Sequence, residues 1–125
     1  MADTLTVLES VFGEMTLIEL AYTADGASLD KSVVVENCCG VLAGVEFIGT
    51  AGLLPSDNWD LVLKDENGID VLHTVGDNID QTYEFLQVEQ PTSLHQYPIC
   101  TSSLNFVATN LGAPANAGTL RLYIR

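Results

Sequence analysis

Turn-forming residues recur at short intervals along this chain. Asp25-Gly26, Cys39-Gly40, Pro55-Ser56-Asp57-Asn58, Asn67-Gly68, Gly76-Asp77-Asn78 and the stretch 112–118 punctuate it. Such spacing favours many short strands over a few long helices. Between the turns, apolar residues alternate. In WDLVLKD, Trp59, Leu61 and Leu63 take one phase; Asp60, Val62 and Lys64 take the other. In SLNFVATN the inward set is Leu104, Phe106 and Ala108, and in GTLRLYIR it is Leu120, Leu122 and Ile124. A period of two buries one face of a strand and leaves the other mostly wet. GVEFIGTAG, with Val45 and Phe47 inward, and QTYEFLQVE, with Tyr83, Phe85 and Gln87 on one side, repeat the pattern less clearly.

The first twenty residues read two ways. Leu5, Leu8, Phe12, Met15 and Ile18 fit a helical stripe. Gly13 in mid-run and the β-branched Thr4, Thr6, Val7, Val11, Thr16 and Ile18 argue against a helix. Two strands, near 4–10 and 14–23, are preferred, with 1–10 alternatively an N-terminal arm. The chain has 125 residues, 47% of them hydrophobic and 17% charged, enough for one domain with its own core. The expected fold is all-β: an antiparallel β-sandwich or small barrel with Greek-key or jelly-roll-like connections.

Charge narrows the partners. Seventeen carboxylates against four basic residues give a formal net charge of −13. Phosphate backbones and anionic membranes are repelled, so neither nucleic acid nor membrane is an expected partner. No apolar run approaches the ~20 residues of a membrane helix, and the N-terminus has no signal-peptide pattern. Cys38, Cys39 and Cys100 are odd in number and include an adjacent pair, so they read as free thiols in a reducing cytoplasm.

LKDENGIDVL (63–72) crowds Asp65, Glu66 and Asp70 around Asn67-Gly68. An EF-hand loop requires a glycine at its sixth position and a glutamate at its twelfth, and neither register satisfies this. A looser oxygen site from Asp65, Asn67 and Asp70 stays open. The simpler reading is a hairpin, since Asn-Gly suits a type I′ turn. No catalytic group, cofactor or metal ligand is assigned. His73 and His95 lie in no catalytic motif. Cys38-Cys39 lacks zinc-site spacing. Trp59 reads as core, and Trp59, Tyr83 and Tyr97 are too scattered for a sugar platform. Arg121, Tyr123 and Arg125, on the outward phase of the last strand, form a candidate contact surface, because arginine and tyrosine are enriched at interfaces.

PSDNWDLVLKDENGIDVL and NLGAPANAGTLRLYIR resemble segments of short virion proteins of tailed bacteriophages. In those proteins a proline-led turn enters an Asp-rich strand and a D-x-x-G-x-D-V-L hairpin, and the chain ends in a strand finishing with arginine. The likeness covers 42–72 and 104–125. It implies a non-enzymatic β-rich virion protein, foremost a capsid decoration (cement) protein on the head surface. Such proteins are often trimers and bind the major capsid protein. A tail, baseplate or head-fibre part is the alternative within the class. A carbohydrate- or calcium-binding β-sandwich module is the alternative outside it. The Arg121–Tyr123–Arg125 face or the arm 2–9 is expected in a subunit or capsid contact.

Overall fold

The computed structural model describes residues 2–86, 98–112 and 114–125. These hold nine strands and no helix: β1 Thr4–Phe12, β2 Met15–Ala24, β3 Leu29–Val34, β4 Cys39–Gly49, β5 Asp60–Lys64, β6 Tyr83–Leu86, β7 Pro98–Cys100, β8 Ser103–Thr109 and β9 Asn116–Ile124. One sheet runs β1-β2-β9-β4-β6, with β7 also paired to β4; the second runs β3-β8-β5. All pairings are antiparallel. From β2 to β6 the chain changes sheet at every strand, then returns so that β8 lies between β3 and β5, and β9 between β2 and β4. This is a jelly-roll connectivity in an open sandwich, and the barrel alternative falls away.

The helical stripe near the N-terminus does not form. β1 and β2 make a continuous hairpin from Thr4↔Thr23 to Phe12↔Met15. Gly13 stands at the first turn position with φ 60°. A type II′ turn places glycine there, and its twist suits the strands it joins. The residue that weakened the helix is thus the one that reverses the chain. Residues 4–12 are paired along their whole length, so this stretch is a strand and not a loose arm.

The core confirms the alternating phases. Leu61, Leu63, Leu104, Phe106, Ala108, Leu120, Leu122, Ile124, Val45 and Phe47 are all buried. Four aromatic side chains knit the sheets together. Tyr22 and Phe47 come from the larger sheet, Phe106 comes from the smaller, and Trp59 lies just before β5. Phe47 meets Trp59 edge-on with centroids 4.8 Å apart, and Tyr22 lies 5.5 Å from Phe106. Each ring contributes roughly 1.5–3 kcal/mol by leaving water. The Tyr22 hydroxyl donates to Asn116 Oδ1 at 3.0 Å, and Asn116 Nδ2 donates to the Gly26 carbonyl at 3.1 Å. A buried polar pair is tolerated there because each group has a partner. Burial pushes the Tyr22 hydroxyl well above the ordinary tyrosine range.

Two expectations need correction. Cys39 and Cys100 are not free thiols; they face each other on β4 and β7 and form a disulfide. Successive residues of a strand point to opposite sides, so only one of an adjacent pair reaches a given partner. Cys38 is the buried free thiol, its pKa pushed up to about 12, first by burial and then by the charge of Glu9. The second correction concerns 69–72. Apart from an isolated bridge between Lys64 and Asp70, this stretch is turn rather than a returning strand. The weaker strand from Gln81 is β6, described over Tyr83–Leu86; Gln87, together with His95 and Tyr97, lies outside the described residues.

Candidate assembly face

The larger sheet turns one face to the core, and no described element covers the other. Its outward residues form rows across the strands. The pairings Leu8↔Glu19, Glu19↔Arg121, Arg121↔Glu46 and Glu46↔Phe85 make one row. A second row contains Ser10, Leu17, Tyr123 and Gly44; a third contains Thr6, Ala21, Thr119, Ile48 and Tyr83. The wet face of an antiparallel sheet is normally polar. Here Leu8, Leu17, Ile48, Tyr83, Phe85 and Tyr123 populate it. Tyr83 and Phe85 are 51% and 49% exposed, so their rings lie largely in water.

A small charge network lies at the centre. Arg121 Nε donates to Glu19 Oε2 at 3.2 Å, and its Nη1 donates to Glu46 Oε1 at 3.3 Å. Glu46 also accepts from the Tyr83 hydroxyl at 3.0 Å and from the Tyr123 hydroxyl. These bonds favour the ionised carboxylate. Glu46 is therefore held below its ordinary pKa, mainly by the Tyr123 hydroxyl, against the opposing effect of burial, with further help from Tyr83 and Arg121. The same bonds, with that to Glu46 foremost, raise Arg121, Tyr83 and Tyr123.

The expected contact residues divide accordingly. Arg121 and Tyr123 do lie together on the outward face. Arg121 is not a positive patch, however, because two carboxylates bracket it. Arg125 follows β9; its backbone N–H donates to the Val41 carbonyl at 3.0 Å and its carbonyl accepts from Val41 N–H at 2.7 Å. The bonds of the Arg121–Glu46 network do not include it.

Beside the network lies a shallow apolar hollow of about 290 Å³, lined by Met15, Ala43, Gly44, Phe85 and Tyr123. A β-bulge makes it. The β4–β9 register shifts between Leu42 and Gly44, so Gly44 and not a side chain opposes Tyr123. A Cβ on Gly44 would stand 3.0 Å from Phe85 Cζ. Glu19, Glu46, Gly44, Leu17 and Met15 are among the members that sequence reasoning missed. Their signal was the outward phase of β2 and β4, and in β2 the helix-or-strand ambiguity of the first twenty residues hid it.

The acidic loop plays a different part. Asp65 N–H donates to the Ile69 carbonyl at 2.9 Å, and Gly68 N–H donates to the Asp65 carbonyl at 3.0 Å. Gly68 has φ 80°, whereas Asn67 is not in the left-handed region. The turn is therefore type I followed by a glycine bulge, not type I′. Its carboxylates accept from the backbone. Asp65 Oδ1 accepts from Asn67 N–H at 2.8 Å and Ile69 N–H at 3.0 Å. Asp70 Oδ1 accepts from Leu63 N–H at 3.1 Å and Leu72 N–H at 3.0 Å, while its Oδ2 accepts from Thr74 N–H at 3.1 Å. Asp70 thereby holds His73 and Thr74, whose φ values of 49° and 69° are uncommon for non-glycine residues. Asp60, Asp80 and Glu9 likewise accept backbone N–H groups of neighbouring loops. Among the described residues, no group of three or more His, Cys, Asp or Glu side chains is placed to hold a metal ion.

Comparison with protein-family models, with curated proteins and with solved structures finds no match to this chain.

Proposed function

We propose that this chain is a non-enzymatic structural protein of a tailed-phage virion. It would be a head decoration protein seated on the major capsid protein through the outward face of its larger sheet. The virion assignment rests on the resemblance carried by the 55–72 segment and the C-terminal strand. The observation that carries the docking role is the uncovered face itself. It presents Leu17, Ile48, Phe85 and Tyr123, and the charges that its described strands point outward, Glu19, Arg121 and Glu46, compensate one another to a net −1. On a chain of net charge −13, the described part of this face carries little of the excess charge. Low charge with exposed aromatic rings suits a contact that must lose water. Jelly-roll sandwiches occur among capsid and lectin domains, so the fold admits the role without selecting it. Many copies on a lattice turn a modest patch into firm attachment, and the high negative charge elsewhere favours solubility before assembly.

The test is co-sedimentation of the purified chain with heads of the source phage that lack it, paired with immunogold labelling of complete particles. Saturable binding at a fixed copy number per capsid, lost in Phe85→Glu and weakened in Gly44→Ala, is the expected result. Equal binding by both variants would remove the face from the contact. Absence of label from all particles would remove the virion reading.

A further inference from the structure

Strand β1 ends the larger sheet, and among the described residues no strand pairs with its outer side. We infer that β1 pairs antiparallel with β1 of a second copy across a two-fold axis, joining the two larger sheets into one continuous sheet. Sheet edges expose backbone N–H and C=O groups that template another strand, and proteins blunt them with lysine, proline, bulges or very short strands. β1 has none of these. It is nine residues long, contains neither lysine nor proline, and pairs with β2 in unbroken register.

The other edges are shorter or guarded. β6 has four described residues. The free side of β5 is closed, because Leu61 N–H donates to the Gly76 carbonyl at 2.7 Å and Leu63 N–H donates to Asp70. β3 carries Asp30 and Lys31. About half of the N–H and C=O groups of β1 therefore face outward for a new strand, since alternate residues of an antiparallel strand pair to opposite sides.

Charge selects the occupant. Two chains of −13 repel each other at most orientations. β1 holds a single carboxylate, Glu9, and this accepts from Asn37 N–H at 2.8 Å and Glu36 N–H at 3.0 Å within its own chain. The edge is thus a near-neutral line on an acidic molecule. A two-fold register centred on Leu8 overlaps all nine residues of each strand. It sets Leu8 opposite Leu8 and Thr4 opposite Phe12 of the second copy, and it keeps the two Glu9 residues out of direct opposition. Leu8, Val11 and Phe12 are 61%, 58% and 65% exposed in the single chain, so each has apolar surface to bury there. Such pairing gives an even number of subunits, in place of the trimer that the family likeness implies. It stands independently of the capsid assignment, since it is measured on the chain alone.

The experiment is native mass spectrometry and sedimentation equilibrium of the full chain, with two variants at exposed Leu8. The expected wild-type result is a dimer whose dissociation constant falls as salt screens the overall repulsion. Leu8→Lys places like charges directly opposite and should weaken the dimer about tenfold or more, with an unchanged thermal midpoint at low concentration. Leu8→Cys should cross-link to itself on mild oxidation, because directly opposed strand residues have Cβ atoms about 4.5–5.5 Å apart. A wild-type monomer at every concentration, a trimer, or a dimer unaffected by Leu8→Lys would each overturn the inference.

Discussion

Replacing Asp70 with alanine tests whether the acidic loop is built for the chain itself or for a cation. The carboxylate accepts three backbone N–H groups, those of Leu63, Leu72 and Thr74. Leu63 and Leu72 are both 0% exposed, so little water can reach their amides once the carboxylate is gone. A buried donor left unsatisfied costs about 1–3 kcal/mol, whereas the exposed Thr74 amide can turn to water. The sum for Asp70→Ala is about 3 kcal/mol, a large part of the ~5–15 kcal/mol that holds a domain folded. With an unfolding entropy of about 2.1 cal/mol/K per residue, that loss lowers the thermal midpoint by roughly 10 °C. Asp70→Asn keeps the Oδ1 acceptor for Leu63 and Leu72 and sets an amide against Thr74 N–H, so it should cost only about 1 kcal/mol. The assay is urea unfolding followed by fluorescence of the buried Trp59, with and without calcium. A loss below about 0.5 kcal/mol in Asp70→Ala would refute the reasoning, since that is the range of an ordinary surface substitution. So would a calcium-dependent rise in the wild-type midpoint that vanishes in Asp70→Asn, because a ligand bound to the native state stabilises it.

Other expectations follow from packing and ionisation. A Cβ on Gly118 would lie 2.5 Å from both Cε1 and Cζ of the buried Phe47 ring, so Gly118→Ala should cost about 2–3 kcal/mol in urea unfolding. Glu46 is held below its ordinary value when folded, so it contributes stability above the unfolded carboxylate pKa that is lost as pH falls through the folded one. Glu46→Gln should therefore flatten the acid limb of the stability–pH profile relative to wild type, and an identical limb would count against the network. The Cys39–Cys100 disulfide closes a loop with a sequence separation of 61, for which chain entropy gives about 4 kcal/mol as an upper figure. The double serine variant should lose about 2–4 kcal/mol in the same assay. Buried Cys38 should react with a thiol reagent only after unfolding, and prompt reaction in the native state would contradict its burial.

Much of the sandwich was legible because burial and period coincide in its inner strands. Leu61 and Leu63, Leu104 and Phe106, and Leu120 and Leu122 each announce a strand and its inward face through local alternation alone. The edge hairpin was less legible, because the inward Leu5 and Val7 of β1 are only partly buried and its apolar residues also fit a helical stripe; Gly13 decided only once seen at a reversal. The turn at 65–68 was legible as a turn but not by type. The difference between type I′ and type I with a bulge lies in the φ of Asn67, which the carboxylate of Asp65 helps set. The contact surface was half legible. The outward phase of β9 exposes Arg121 and Tyr123, but alternation within one strand says nothing about neighbours in the sheet.

Those neighbours come from topology. β9 lies between β2 and β4, which are distant from it in sequence, and only that placement brackets Arg121 with Glu19 and Glu46 and so removes the positive patch that the C-terminus suggested. The same placement brings Gly44 beneath Phe85, and β7 against β4 so that Cys39 meets Cys100. The sequence by itself determined which residues leave water and where the chain turns, because both are local consequences of side-chain chemistry and backbone freedom. The tertiary structure alone decided which strands are edges, which charges cancel and which thiols meet, because those depend on contacts between residues that the chain separates by dozens of positions.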